Sequence, residues 1–202
     1  MQPLKNPRAK KPFDREIILV FGQTGSGKTQ WTKRFIRGLP RVIIVDPLDE
    51  YDGLLAESTE ALIDAIENRK VFTVRTLLLE DFPFICQVAR VAGPCTLVVE
   101  ETQRILPPRV DVPESFSDLI YRGRHYGVSV VMVSQRPMTV NLVARSQWTQ
   151  LITFRQVETS DVRWIQQVTG SVADLNLPIL SYFHFTLHGV EQKKIVLTSQ
   201  KL

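Results

Sequence analysis

The chain has 202 residues, 44% hydrophobic and 23% charged, which suits one domain with a full core and an ordinary soluble composition. Its longest apolar runs, "IILVF" at 17–21 and "VSVVMV" at 128–133, are too short to cross a bilayer, and the basic N-terminus lacks the apolar stretch of a secretory signal. The net charge of +4 is localised: five of the 25 basic residues and one of the 21 acidic ones lie in residues 1–15, leaving 20 of each elsewhere. Lys5, Arg8, Lys10, Lys11 and Arg15 thus mark a basic, proline-containing N-terminal arm, residues 1–15, read either as a solvated tail or as a nucleic-acid contact. Residues 16–202 then form the folded domain. Cys86 and Cys95 sit in apolar stretches and are expected to be buried thiols of a cytoplasmic protein.

The elements follow in chain order. The run 16–21 predicts a first strand, and "GQTGSGKT" at 22–29 follows it directly. This segment has the phosphate-loop spacing, with Gly22, Gly27, Lys28 and Thr29 at its fixed positions and Gln23, Thr24, Gly25 and Ser26 between them. Glycines let backbone N–H groups wrap phosphate at a helix N-terminus, whose dipole favours anions. Lys28 is expected on the β- and γ-phosphates of a nucleoside triphosphate, and the Thr29 hydroxyl on Mg²⁺. A helix over 28–38 leaves the loop, and a strand over 42–46 ends in Asp46. That acid reads either as a group near the nucleotide or as an ordinary strand-end turn.

A helix at 58–68, a strand at 71–75 and a helix at 80–91 come next; Pro83 lies near the start of this helix, where proline is tolerated. The buried strand 95–100 ends in Glu100 and Glu101. Glu100 is the expected carboxylate of the metal shell, and Glu101 the expected base for the attacking water. Paired acids there favour hydrolysis over transfer to a small acceptor. Residues 102–115, with Arg104 and Arg109, read either as a pore-facing loop or as a plain connection. A helix at 114–125 precedes the strand 128–134, which delivers Ser134 and Gln135 to the sheet edge where ligands bind in open α/β folds. Gln135 is the expected sensor of the γ-phosphate or the water. A strand at 149–155, a helix at 159–168 and a hairpin within "YFHFTLHGVEQKKIVLT" complete the chain. Fully apolar strands alternating with helices predict an α/β fold, a mainly parallel sheet with helices on both faces and a C-terminal β-hairpin.

Several of these segments, in this order, resemble the HerA/FtsK superfamily of DNA-pumping P-loop ATPases, whose fold is RecA-like (ASCE). "IIVDPLDEY" is similar to the strand ending in Asp-Pro-x-x-Glu-Tyr, here Asp46, Pro47, Glu50 and Tyr51. "GRHYGVSVVMVSQRP" is similar to the Arg-x-x-Gly strand running into Gln-Arg-Pro, at Arg124, Gly127, Gln135, Arg136 and Pro137. "TQLITFRQVETSDVRWI" resembles the following strand and helix start, with Asp161 and Arg163. Glu100 stands where the family usually has aspartate. Without a barrel, a membrane segment or a winged-helix tail in this sequence, the likeness is to the genome-packaging ATPases of membrane-containing icosahedral viruses. It implies a homo-oligomeric ring, expected to be a hexamer, that moves double-stranded DNA and docks on capsid or membrane-vertex proteins in the host cytoplasm or at the virion's packaging vertex. It also implies that Arg124 reaches a neighbour's nucleotide in trans. A cellular or plasmid translocase and a nucleotide-gated adaptor are the alternatives.

Overall fold

The computed structural model describes residues 15–67 and 69–195. In chain order the elements are β1 (Ile17–Phe21), α1 (Lys28–Ile36), β2 (Arg41–Val45), β3 (Leu54–Leu55), α2 (Thr59–Glu67), β4 (Phe72–Thr76), α3 (Phe82–Ala92) and β5 (Cys95–Val99). They continue with α4 (Thr102–Ile105), α5 (Glu114–Tyr126), β6 (Val128–Ser134), a 3₁₀ turn (Pro137–Thr139), α6 (Leu142–Ser146), β7 (Gln150–Thr153), α7 (Thr159–Thr169), β8 (Ser181–Thr186) and β9 (Gly189–Lys194). One nine-stranded sheet runs in the order β3-β4-β2-β5-β6-β1-β7-β8-β9. Pairing is parallel from β3 through β7, and β8 and β9 add an antiparallel hairpin at the edge.

β1 is apolar and buried at every position because both faces of the sheet are covered there, whereas β9 at the edge is exposed throughout. Ile17, Leu19 and Phe21 of β1 enter one core cluster and Ile18 and Val20 the other, as side-chain alternation along a strand requires. The first cluster is closed by α2, α3, α5 and α7, through residues such as Leu62, Phe82, Phe116 and Ile165. The second rests on α1 through Ile36, and on Tyr51, Phe154 and Ile195 from flanking segments. Cys86 and Cys95 are free and buried, and burial pushes both thiols up, Cys95 to about 12.

Strand register places the site. Phe21 is level with Ser134 and Thr153, so β1, β6 and β7 end together. Val99, the last residue of β5, is level with Met132, so Glu100 and Glu101 follow a strand that ends two residues short of Ser134 on β6. β6 lies between the strand that enters the phosphate loop and the strand that ends in the acids.

The expected basic arm lies outside the described residues except for its last member. Arg15 is part of the body: its guanidinium donates to Leu119 O at 2.6 Å, Ile120 O at 2.8 Å and Val128 O at 3.2 Å. These are backbone carbonyls in the middle of α5 and at the start of β6.

Candidate active site

The phosphate loop is built by close approach. Gly22 N–H donates to Gln135 O and Gln23 N–H to Arg155 O, both at 3.2 Å, so the loop is suspended from the chain segments that follow β6 and β7. On its other side Leu180 N–H donates to Ser26 O at 3.0 Å. A Cβ on Gly22 would lie 2.5 Å from Phe154 Cβ and 2.7 Å from Ser26 Oγ; on Gly27, at φ +116°, it would lie 3.0 Å from Leu180 Cδ2. Gly25 faces open space. Gly22→Ala is therefore expected to lower stability by about 1–3 kcal/mol through overpacking and to weaken nucleotide binding at least tenfold. Gly25→Ala, at φ +75°, pays only the left-handed backbone cost of about 1–2 kcal/mol. Urea unfolding and fluorescent-nucleotide titration of the two variants check the difference.

Lys28 opens α1 with its side chain folded over the loop, donating to Gln23 O at 3.1 Å. It is 8% exposed. Burial lowers its pKa, while the charges of Glu100, Glu101 and Glu50 oppose that shift. Ser26 Oγ is buried with no hydrogen-bond partner. A buried ammonium and an orphaned hydroxyl at a helix N-terminus are what an incoming phosphate satisfies.

The two acids after β5 have different surroundings. Glu100 is 4% exposed and accepts a hydrogen bond from the Tyr51 hydroxyl. Burial pushes its carboxyl up to about 7, outweighing the Tyr51 hydrogen bond and the Lys28 charge. Glu101 sits in the left-handed region at φ 48° and starts α4. A non-glycine residue held there carries strain of order 1–3 kcal/mol. Its carboxylate accepts from Gln103 Nε2, and Gln103 Oε1 accepts from Ser134 Oγ at 2.6 Å. Gln103 thereby links Glu101 to the end of β6; nothing in the sequence singled it out.

Gln135 is exposed beside the loop, in a cavity of about 260 Å³ that it lines with Gln23, Thr24 and Arg136. Its own carbonyl anchors Gly22 and accepts from Gln156 Nε2 at 3.3 Å. Arg136 is committed elsewhere: its Nε donates to the buried Asp161 at 2.6 Å, which joins two segments of the family resemblance in one ion pair. Asp46 resolves into the turn reading. Its carboxylate accepts from Glu50 N–H at 3.0 Å and Tyr51 N–H at 2.9 Å. That turn brings Glu50 to the phosphate loop, where Thr29 Oγ1 donates to Glu50 Oε2 at 3.2 Å. The sequence marked Glu50 and Tyr51 only as parts of a motif, with no role for either.

Among the described residues no group of three or more His, Cys, Asp and Glu side chains could hold a metal. Thr29, Glu50 and Glu100 offer only oxygen donors, and Mg²⁺ takes its remaining ligands from phosphates and water. The residues fit a cation that arrives with the nucleotide.

Arg124 lies at the opposite end of the parallel strands, beside the starts of β1 and β7. It lines a cavity with Ile17 and Thr149, at the first residue of β1 and just before β7, one strand length (roughly 16 Å) from the phosphate loop. At that separation its side chain does not reach the phosphate loop of the same chain. Arg122 pairs with Asp118 at 3.2 Å, whereas Arg124 is exposed and has no ion-pair partner among the described residues. Gly127, from the same motif, closes α5 in the left-handed conformation at φ 70°, and a Cβ there would press on Pro94 at 3.2 Å. Arg104 and Arg109 are exposed, and Asn141 Nδ2 pins their loop by donating to Val110 O at 2.7 Å.

The sequence family described as "AAA domain" matches residues 10–139. A curated relative, "Probable helicase MJ1565" of Methanocaldococcus jannaschii, is 28% identical over 85 residues, 41% of this chain. The match spans only 17% of that relative's length. Among solved structures, the genome packaging NTPase B204 from Sulfolobus turreted icosahedral virus 2, in complex with AMPPCP, superposes with a TM-score of 0.76 at 17% identity, covering 93% of this chain and 100% of that one. The same NTPase in complex with ATP-gammaS gives 0.76 at 16% identity, covering 91% and 98%. The cytoplasmic domain of the type VII secretion ATPase EccC of Thermomonospora curvata gives 0.60 at 13%, covering 92% of this chain and 24% of that one. At these identities the likeness is one of fold.

Proposed function

The chain belongs to the AAA domain family and is a nucleotide-binding ATPase, and from that premise we propose that it drives double-stranded DNA through a homo-oligomeric ring, as a viral genome-packaging motor. The observation that carries this reading is the end-to-end match in fold to a packaging NTPase, 93% of this chain against 100% of that one. Arg124 supports the ring: it faces solvent one strand length from the loop it is expected to serve.

In this mechanism the backbone N–H groups of residues 22–29 and the Lys28 ammonium bind the β- and γ-phosphates. Thr29 would hold Mg²⁺ through its hydroxyl, and the cation would supply charge neutralisation at the phosphate oxygens. Glu101 takes the proton of the water that attacks phosphorus, and Gln135 orients that water. Arg124 of one subunit stabilises the charge that develops on its neighbour's γ-phosphate. The deciding experiment is displacement of a third strand from a triplex by the full chain. ATP-dependent displacement, with turnover raised by duplex, is the expected result. Turnover indifferent to duplex, with no displacement, would mean a nucleotide-gated adaptor instead.

A cellular translocase is the second reading, supported by the partial match to a probable helicase. In either case the N-terminal cations are proposed to meet DNA. Because Arg15 is tied into the body, the informative truncation removes residues 1–14. It is expected to weaken duplex binding and flatten the salt dependence. Each of Lys5, Arg8, Lys10 and Lys11 that meets a phosphate contributes about 0.9 to the slope of log K against log salt. Equal slopes for the two proteins would assign the segment another role.

A further inference from the structure

We propose that Glu50, rather than Glu100, is the carboxylate that holds the metal-ligating hydroxyl of Thr29 and the water shell of the divalent cation. This rests on the reading that the cation binds with ATP at the phosphate loop. A threonine that ligates a cation does so through an oxygen lone pair, so its proton must go to an acceptor. In P-loop NTPases the partner acid is expected at the end of the strand that carries the second motif, which here is Glu100. The geometry assigns the acceptor elsewhere. Thr29 Oγ1 donates to Glu50 Oε2 at 3.2 Å, while Glu100 is buried and bound to the Tyr51 hydroxyl.

One turn produces both arrangements. Asp46 is fully buried, and its two carboxylate oxygens accept separately from the backbone N–H groups of Glu50 and Tyr51. Fixing two consecutive amides on one carboxylate sets the directions of two consecutive side chains. Glu50 reaches over α1 to Thr29. Tyr51 turns inward, becomes part of the second core cluster and caps Glu100. Glu50 is exposed, so its carboxylate keeps water around it and can hold the hydration shell of a cation. Mg²⁺ sites of this kind use one or two carboxylates with several waters and the substrate phosphates. Glu100, with a phenol on one oxygen and little exposure, is left to place β5's end and to balance the Lys28 charge.

The test is Mn²⁺ binding, followed by electron paramagnetic resonance, in the full chain saturated with AMPPCP. Glu50→Gln is expected to weaken Mn²⁺ binding about 10–100-fold, the usual effect of losing a partner of a metal ligand, with metal-free AMPPCP affinity unchanged. Glu100→Gln is expected to stay within about threefold of the parent. Since Glu50 is exposed, its amide variant does not endanger folding, and circular dichroism confirms it. A parent chain that binds Mn²⁺ with a Glu50→Gln variant equal to it overturns the assignment, and loss in Glu100→Gln alone returns the role to Glu100. A parent chain whose AMPPCP complex takes no Mn²⁺ overturns the metal reading itself, and the assignment with it.

Discussion

Glu101→Gln is expected to bind ATP as the parent does and to hydrolyse it about 10²–10⁴-fold more slowly, the usual weight of a general base. An amide keeps the size and the hydrogen-bonding reach of the side chain but cannot take up the water's proton. The choice of Glu101 over its neighbour follows from surroundings. Glu100 is buried against Tyr51, and its carboxyl is raised to about 7. Glu101 is partly exposed at the loop edge and aimed by an uncommon backbone conformation, φ 48°. The Gln103 bridge ties it to Ser134, beside Gln135. Single-turnover hydrolysis and nucleotide titration, measured on both amide variants, separate the two acids. Normal hydrolysis in Glu101→Gln with a dead Glu100→Gln would reverse the roles.

The second large effect is expected from Arg124→Ala: intact ATP binding, intact assembly and a loss of about 10³–10⁵ in turnover, the range for an arginine that stabilises a transferring phosphoryl group. The alternatives are spent on other partners. Arg122 is held by Asp118, one helical turn back, and Arg136 by the buried Asp161. Replacing Arg136 should instead cost stability, because Asp161 would be left as a buried, unpaired carboxylate. Full activity in Arg124→Ala would end its candidacy.

Much of the fold was readable because the strands carry their own signal. "TLVV" and "VSVVMV" are apolar at consecutive positions, and that pattern survives only where both faces of a sheet are covered. The hairpin of β8 and β9 was legible from two strand-like runs about a glycine. What escaped was short or held by distant contacts. β3 is two residues long and exists by pairing with β4. α4 spans four residues behind the strained Glu101. α6 has a local signal, the Asn141 side chain accepting from Val143 N–H, but five residues give no periodicity to read.

The site divides in the same way. The phosphate loop is one contiguous segment, so spacing alone located it. The Thr29–Glu50 contact joins residues 21 apart and the Tyr51–Glu100 contact residues 49 apart, and both depend on how the Asp46 turn packs. Spacing could mark those residues as a motif but could not say which acid meets which hydroxyl. The motif's Asp46 and Gly127 prove to carry backbone, holding the turn and the helix end that aim their neighbours.

The central claim, that hydrolysis happens between subunits, is tested most directly by mixing two inactive proteins. Lys28→Ala lacks the cation expected on the phosphates and Arg124→Ala lacks the proposed finger, so neither should turn over ATP alone. In mixed rings some interfaces pair an intact phosphate loop with an intact Arg124, and duplex-stimulated ATP turnover should return in proportion to such interfaces. No recovery, with subunit exchange demonstrated by energy transfer between labelled chains, would contradict a site completed in trans.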